Sequence, residues 1–279
     1  MKIAVLSGKG GTGKTFVSVN LAVTAQNAVY KDCDVEEPNG HLFLKPQDVE
    51  TQTITRLLPV FDNELCNGCK KCVDFCKFNA LALVKEKPML FSDVCHSCGG
   101  CVGVCPQNAI TEVPSNIGKI ETGHHEYVSC VTGILDLGQA SGVPVISAVL
   151  NKKTPCDDFT VIDCPPGSAC TVMESIQDVD FCIIVGEPTA FGLHNFKMVY
   201  ELTQVLSKPC GVVINKCGEK DDPLYNYCNE NDINVLLKIP YSSKLGLLNA
   251  DGNIVCEKDD DAKAMFELLL QKVRLEVSE

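Results

Sequence analysis

The stretch from Gly8 to Thr15, which reads GKGGTGKT, most constrains what this chain can fold into. It follows the apolar run 2–7 and precedes the Ala-, Leu- and Val-containing run 16–26, an order that predicts strand, glycine-rich turn and helix. Glycines let consecutive backbone N–H groups face a phosphate, and the helix start adds unpaired N–H groups. The residues predicted to bind a nucleotide are therefore Gly8, Lys9, Gly10, Gly11, Thr12, Gly13, Lys14 and Thr15.

Within this loop, Lys14 and Thr15 have separate predicted roles. Lys14 is placed to reach the β- and γ-phosphates of ATP, and the Thr15 hydroxyl is placed to hold Mg²⁺. A second apolar run, 159–163, ends in Asp163 and is followed by Cys-Pro-Pro-Gly. A carboxylate at such a strand end reaches Mg²⁺, usually through water, so Asp163 is the second predicted magnesium residue.

A further lysine, Lys9, stands at the start of the loop. With the D-x-P-P-G run at 163–167, it makes the chain resemble the MinD/Mrp/ParA superfamily of P-loop ATPases, to which the nitrogenase iron protein is related. The resemblance implies that Lys9 crosses a dimer interface to the partner's nucleotide, and that Asp34, at the end of the run 28–34, orients the attacking water. Candidate catalytic residues are thus Lys9, Lys14, Asp34 and Asp163.

The same resemblance extends to three later positions and to the loop after Asp163. It implies that Gly167 moves on contact with a γ-phosphate and that Asn215 reads the adenine base. Lys216 ends the same predicted strand as Asn215, and Pro240 follows the last core strand, where relatives contact the base through the main chain. We therefore expect Gly167, Asn215, Lys216 and Pro240 to contribute to the nucleotide site.

Eighteen cysteines are present, and eight of them form two C-x2-C-x2-C-x3-C runs at 66–76 and 95–105. This internal repeat resembles the two-cluster bacterial ferredoxin, in which the fourth cysteine of each run binds the other cluster. The first run has Lys77 where proline is usual, which removes no ligand. Zinc also binds C-x2-C pairs, but two complete runs favour iron–sulfur clusters. The resemblance implies one [4Fe–4S] cluster on Cys66, Cys69, Cys72 and Cys105, and another on Cys95, Cys98, Cys101 and Cys76.

Two other cysteines, Cys164 and Cys170, flank the D-x-P-P-G loop. They are either ligands of a cluster shared by two subunits, as in the nitrogenase iron protein, or small buried residues. The cysteines at positions 33, 130, 156, 182, 210, 217, 228 and 256 are scattered without ligand spacing, and we interpret them as core or surface filler.

Charge and hydropathy restrict the partners. The formal net charge is −12, which disfavours a nucleic-acid surface. The N-terminus runs directly into the first predicted strand, and no apolar run approaches the ~20 residues that span a bilayer. The predicted C-terminal helix, 262–273, has no strong basic face, so we expect it to dock on its own sheet. These features predict a protein that binds neither nucleic acid nor membrane. The many cysteines, together with the phosphate-binding loop, predict a reducing, anaerobic cytoplasm.

The predicted fold is a doubly wound α/β P-loop ATPase with a mainly parallel sheet, formed by residues 1–60 and 114–279. Residues 61–113 form an inserted α+β ferredoxin-like module with two clusters. After it, 117–132 alternates in strand fashion, which predicts a hairpin with a tight turn at Gly123-His124-His125. The two histidines are either ligands or, as we favour, solvated turn residues.

This arrangement predicts a slow, partner-stimulated ATPase that couples dimer closure to electron transfer through two [4Fe–4S] clusters. The closed state is a homodimer or a heterodimer with a paralogue, and the electrons pass to or from a redox protein. Two alternatives remain open. One is an Mrp-type carrier of iron–sulfur clusters or metal with an accepting protein partner, and the other is a MinD-like positioning ATPase.

Overall fold

A computed structural model describes residues 1–155, 158–218 and 222–278; Cys156 lies outside these ranges. The strands are β1 Lys2–Leu6, β2 Val29–Asp32, β3 Gln47–Phe61, β4 Leu81–Val84, β5 Lys87–Leu90, β6 Ile110–His125, β7 Val128–Leu135, β8 Thr160–Asp163, β9 Phe181–Gly186, β10 Cys210–Cys217 and β11 Val235–Pro240. The helices are α1 Lys14–Ala25, α2 Gly40–Leu44, α3 Lys71–Phe75, α4 Gly100–Gly103, α5 Val143–Asn151, α6 Cys170–Ile176, α7 Ala190–Val205, α8 Pro223–Glu230, α9 Ser243–Ala250, α10 Val255–Lys258 and α11 Asp260–Ser278.

Nine strands of the described chain form one sheet in the order β11-β10-β9-β1-β8-β2-β7-β6-β3. The seven strands from β11 to β7 run parallel. Their continuous apolar runs suit a sheet that is covered on both faces. In β1, Ile3 and Val5 pack in one core cluster, while Ala4 and Leu6 pack in the cluster on the opposite face. The mainly parallel α/β fold predicted from the sequence is confirmed.

The other edge of the sheet is an antiparallel extension. Strand β6 pairs with both β7 and β3, and β3 and β6 form a ribbon of 15- and 16-residue strands. The predicted hairpin is present, but its turn is displaced: His124 and His125 belong to β6 and pair with Ser129 and Val128. The chain reverses instead at Glu126, whose φ is 47°. A strand continues as long as its ladder hydrogen bonds do, and the sequence alone did not show where they end.

The cysteine-rich segment lies at the far end of this ribbon, between the end of β3 at Phe61 and the start of β6 at Ile110. It contains the short helices α3 and α4 and the two-stranded sheet β4–β5. The sequence repeat is also a backbone repeat, because the same three positions of the segments 66–79 and 95–108 have positive φ. These pairs are Gly68 (72°) and Ser97 (53°), Lys70 (68°) and Gly99 (69°), and Asn79 (53°) and Asn108 (48°).

The C-terminal helix α11 packs against the ATPase core. Its buried residues include Phe266, whose ring lies 5.7 Å from that of Phe16 on α1, and Leu269 and Val273. Lys272 also donates from Nζ to the Leu236 carbonyl of β11, at 2.7 Å. The helix therefore docks on its own domain, as the sequence predicted. Among the helices of the described ranges, none combines the length and the apolar character needed to cross a bilayer.

Candidate functional site

The glycine-rich loop connects β1 to α1 and borders a cavity of about 620 Å³. Gly13 precedes the helix with φ of 101°, a conformation that strongly favours glycine. The Asn215 amide also occupies the space that a side chain at this position would need. The loop, the segment after β2 through α2, the turn after β8 with the start of α6, and one residue of α9 all border this cavity. The lining residues are Ser7, Lys9, Gly10, Gly11, Gly13, Lys14, Thr15, Phe16, Asp34, Val35, Glu36, Glu37, Asn39, Leu42, Phe43, Pro165, Pro166, Ala169, Thr171 and Asn249.

Lys14 lies between two carboxylates in this site. Its Nζ atom is 2.7 Å from Oδ1 of Asp163 and 3.4 Å from Oδ2 of Asp34. Burial opposes the charge of Lys14, but Asp163 and Asp34 outweigh burial and raise the pKa of the ammonium group above its usual value. Lys14 is therefore a buried, fully charged cation beside a cavity that can hold phosphates. Strands β1, β2 and β8 bring together these three residues, which lie far apart in sequence.

Asp32 and Tyr30 form a second, fully buried layer beneath Lys14. Asp32 accepts hydrogen bonds from the backbone N–H groups of Asp34 at 3.1 Å and Gly40 at 3.0 Å. Tyr30 donates its hydroxyl to Oδ2 of Asp163 at 2.8 Å. Burial, followed by the nearby charge of Asp163, raises the pKa of Asp32 to about 8. Asp32 thus holds the backbone of the switch I segment, residues 34–39, rather than facing the cavity.

The residues beside the loop fit a magnesium ion. Mg²⁺ binds oxygen ligands and is commonly held by one or two carboxylates together with substrate phosphates. Thr15 and Asp34 line the cavity, and the buried Asp163 carboxylate already has a cation, the Lys14 ammonium, 2.7 Å from Oδ1. The donor set and its negative charge are those that the ion requires.

Lys9 is held within its own chain. Its Nζ atom lies 2.7 Å from Oε2 of Glu187 and 5.4 Å from the centre of the Phe191 ring. The other Glu187 oxygen accepts from Nζ of Lys216 at 2.6 Å, and Lys216 also donates to the Gly11 carbonyl at 2.8 Å. Partial burial favours the neutral form of Glu187, but hydrogen bonds from Lys216 and Lys9 outweigh the effect of burial and lower the pKa of Glu187. Glu187 therefore links the loop to strand β10.

Three of the remaining predicted nucleotide residues, Gly167, Asn215 and Lys216, contact the loop or the residue before it without lining the cavity. Pro240 ends β11 and also does not line the cavity. Asn215 donates from its side-chain amide to the Thr12 carbonyl at 2.8 Å and accepts from the Lys216 N–H at 2.9 Å. Both ends of that amide are thus engaged with the protein. Gly167, with φ of 94°, donates to the Ser7 carbonyl at 2.8 Å. Adenine contacts by Asn215, Lys216 and Pro240 stay predictions.

The eight cysteines of the two runs surround two cavities, each lined by three cysteines of one run and the last cysteine of the other. Both sites contain a backbone N–H near a sulfur, Ala109 at 3.4 Å from Cys105 and Ser97 at 3.5 Å from Cys95. The first cavity, of about 20 Å³, is bordered by Cys66, Cys69, Cys72 and Cys105, and the second, of about 230 Å³, by Cys76, Cys95, Cys98 and Cys101.

Thiol donors and neighbouring N–H groups suit an iron–sulfur cubane, although the smaller cavity must widen to hold one. Across the described ranges, no three His, Cys, Asp or Glu side chains converge closely enough to bind a single metal ion. A cubane spreads its ligands over four corners, so it requires wider spacing than one ion does. The fit therefore supports the predicted ligand sets, and the clusters themselves stay a prediction.

Arg56 fixes the loop that carries the second set. It donates from Nη1 to the Cys95 carbonyl at 2.6 Å and from Nη2 to the Ser92 carbonyl at 3.0 Å. Because Arg56 lies on β3, these bonds connect the ribbon to the cysteine loop. Of the two cysteines beside the D-x-P-P-G loop, Cys164 is fully buried and Cys170 is exposed at the start of α6. Cys164 thus behaves as a small core residue in this conformation.

Sequence reasoning missed Tyr30 and Glu187 and gave Arg56 no role. A signal existed for Tyr30, because it stands two residues before Asp32 on a buried strand and must share its face. No local pattern marked Glu187 or Arg56, because each acts on residues distant in sequence.

Most of the chain matches a known protein family. The profile of the family described as the CobQ/CobB/MinD/ParA nucleotide binding domain matches residues 3–255. An uncharacterized protein of Methanocaldococcus jannaschii is 30% identical over 278 residues, covering 98% of this chain and 96% of its own length.

Solved structures of low identity share the fold. The cell division ATPase MinD of Pyrococcus furiosus superposes with a TM-score of 0.61 at 18% identity, covering 98% of each chain. The septum site-determining protein MinD of Pyrococcus horikoshii, complexed with Mg-ADP, gives 0.59 at 21% identity, covering 98% of this chain and 95% of its own. Together with the phosphate-binding loop, the family match shows that this chain belongs to the CobQ/CobB/MinD/ParA family of nucleotide-binding domains and is an ATPase.

Proposed function

We propose that this protein uses ATP binding and hydrolysis to gate electron transfer through two [4Fe–4S] clusters. The observation that carries the proposal is the grouping of eight cysteines around two cavities in the crossed pattern of a two-cluster ferredoxin. These cavities lie at the end of the β3–β6 ribbon, which is part of the ATPase sheet.

In this proposal the cluster cysteines are held as two sets of four thiolates, and each cluster supplies the uptake and release of one electron. The protein tunes that chemistry through hydrogen bonds to sulfur and through burial. The N–H groups of Ala109 and Ser97 supply the first effect. Ala80 and Leu81, both buried beside the second cavity, supply the second.

At the ATPase site, ATP would bind with Mg²⁺, as the Mg-ADP complex of the Pyrococcus horikoshii MinD suggests. Nucleotide phosphates would replace Asp163 and Asp34 as the partners of Lys14, because a buried ammonium group needs negative charge beside it. Asp34 would then be free to orient the attacking water. Thr15 and Asp163 would hold Mg²⁺, which neutralises charge on the phosphates.

A continuous hydrogen-bonded path joins switch I to the ribbon. Leu135, at the end of β7, donates from its backbone N–H to the Val35 carbonyl at 2.8 Å. Leu135 pairs with Gly118 of β6, the strand that leads to the cysteine-rich segment. A shift of Asp34 on nucleotide exchange would therefore act on the same strand that carries the cluster sites.

Dimer formation would place a further cation, the Lys9 ammonium, at the nucleotide of the opposite subunit. When ATP is bound, Lys9 would leave Glu187 and reach the nucleotide of a second subunit, either an identical copy or a paralogue. Such a cation stabilises the charge that develops on the transferred phosphoryl group. Closure would also bring the cluster surface towards a redox protein partner.

A second candidate function is that of a positioning ATPase. The solved structures cited above are MinD proteins, one described as a cell division ATPase and one as a septum site-determining protein. In that case the cysteine-rich segment would serve as a structural or sensory element. A third candidate function is that of a cluster carrier of the Mrp type, which the experiment described next would also detect.

The deciding experiment is anaerobic. Iron and sulfide are quantified, and the clusters are then titrated by EPR with and without Mg-ATP, using Lys14→Ala as the control that does not bind ATP. About eight irons per chain, with potentials or spectra that move only when the wild-type protein binds ATP, support gated electron transfer. Clusters indifferent to nucleotide would exclude gating and favour positioning. Iron transfer to an apo-acceptor only during ATP turnover would identify a cluster carrier.

A further inference from the structure

We infer that Tyr30 is a positioning residue for Asp163, which it holds in the orientation needed to bind Mg²⁺ with the nucleotide. The inference rests on the magnesium role proposed for Asp163 and is independent of the clusters. Tyr30 lies in the middle of β2, one strand away from Asp163 at the end of β8. Both side chains are fully buried.

The two oxygens of Asp163 have different partners. Oδ2 accepts the Tyr30 hydroxyl at 2.8 Å, and Oδ1 accepts the Lys14 ammonium at 2.7 Å. The hydroxyl donor therefore occupies Oδ2 and leaves Oδ1, which now contacts the Lys14 ammonium, as the oxygen that meets a cation. A carboxylate fixed at one oxygen loses the freedom to rotate, so less entropy is lost when the other oxygen binds an ion.

Tyr30 is itself fixed from the switch I side. Its hydroxyl lies 3.5 Å from Oδ2 of Asp32, and that oxygen also accepts the Gly40 N–H at 3.0 Å. The Tyr30 ring occupies the space that a side chain at Gly40 would need. The phenol is thus clamped between Asp32, Gly40 and Asp163, and the first turn of α2 is packed directly against the residue that orients Asp163.

The test is Tyr30→Phe, which removes only the hydroxyl. The probe is Mn²⁺, whose binding in the presence of ADP is followed by EPR, while nucleotide affinity is measured separately in EDTA. We expect the Kd for Mn²⁺ to rise at least about threefold, in line with the loss of one hydrogen bond to a charged group. Nucleotide affinity in EDTA should stay within about twofold, since the phosphate loop is untouched.

Two further variants make the result decisive. Tyr200→Phe, which alters a ring packed on Phe196 of α7, should leave Mn²⁺ binding unchanged. Gly40→Ala retains the hydroxyl but presses on the Tyr30 ring, so it should also weaken Mn²⁺ binding. Unchanged Mn²⁺ affinity in Tyr30→Phe, with only a lower unfolding temperature, would overturn the inference. If the wild-type protein with ADP binds no Mn²⁺, the proposed metal site fails, and the role of Tyr30 with it.

Discussion

The Nζ atom of Lys9 lies 2.7 Å from Oε2 of Glu187 in the same chain. The two residues meet because they follow the neighbouring parallel strands β1 and β9. The Lys9 side chain is 30% exposed and that of Glu187 only 11%. A lysine that is to act on a second subunit must first leave this partner. If Lys9 acts across a dimer as proposed, this pair would set a threshold for closure.

The first prediction concerns that threshold. Glu187→Gln removes the charge that retains Lys9, so we expect dimerisation with ATP to reach half-maximum at an ATP concentration about two- to fivefold lower, as loss of a part-exposed ion pair implies. Sedimentation at graded ATP concentrations measures this. Glu257→Gln, whose carboxylate lies 3.5 Å from Nε2 of His125, is the matched control and should change nothing. Weaker dimerisation of Glu187→Gln would show instead that the pair pre-orders Lys9.

The second prediction is a pH dependence of stability. Burial keeps Asp32 protonated in the folded protein up to a pKa of about 8, whereas the unfolded residue loses its proton near 3.8. Between these values the folded state binds the additional proton, so the free energy of unfolding falls as pH rises. The predicted fall is on the order of 2–4 kcal/mol. Denaturant unfolding in EDTA without nucleotide, from pH 5 to pH 8.5, measures it.

Asp32→Asn is neutral at every pH and should flatten that profile. Asp74→Asn, at an exposed side chain of α3, is the control and should keep the wild-type slope. A profile of equal slope in Asp32→Asn and wild-type protein would contradict the assignment to Asp32.

The third prediction tests the crossed ligand sets. In Cys66→Ser/Cys105→Ser both changes affect one proposed cluster, so about four irons per chain should remain. In Cys66→Ser/Cys76→Ser each cluster loses one ligand, so both should become unstable and iron should fall towards zero. Iron analysis of both variants after anaerobic purification decides whether the ligand sets are crossed. If the second variant retains four irons and the first retains none, each run binds its own cluster.

The fourth prediction uses the two arginines of the sequence. Arg56 secures the second cysteine loop through Ser92 and Cys95, so Arg56→Gln should release the iron of that cluster to a chelator at least about threefold faster, as loss of charge-assisted hydrogen bonds implies. Arg274→Gln, on α11 beside Phe159, is the control and should not alter iron release. Equal acceleration of all the iron would show that Arg56 stabilises the whole segment instead.

Local sequence was sufficient for features whose geometry is set within a few residues. The loop from Gly8 to Thr15 was predicted from its glycines and flanks, since a turn between strand and helix depends on adjacent dihedral angles. The mainly parallel sheet followed from continuous apolar runs. The repeated spacing of the cysteines is accompanied in the structure by a backbone repeat, in which Lys70 and Gly99 share a positive φ.

Contacts between distant strands required the tertiary structure. Tyr30 meets Asp163 across 133 positions because β2 and β8 are neighbours in a particular register, and Arg56 meets Cys95 because β3 runs beside the cysteine loop. The end of β6 at His125, rather than before it, was decided by pairing with β7. Strand order and register depend on how the whole core packs, so the sequence determined the chemical groups of this site, and only the folded sheet determined which of them meet.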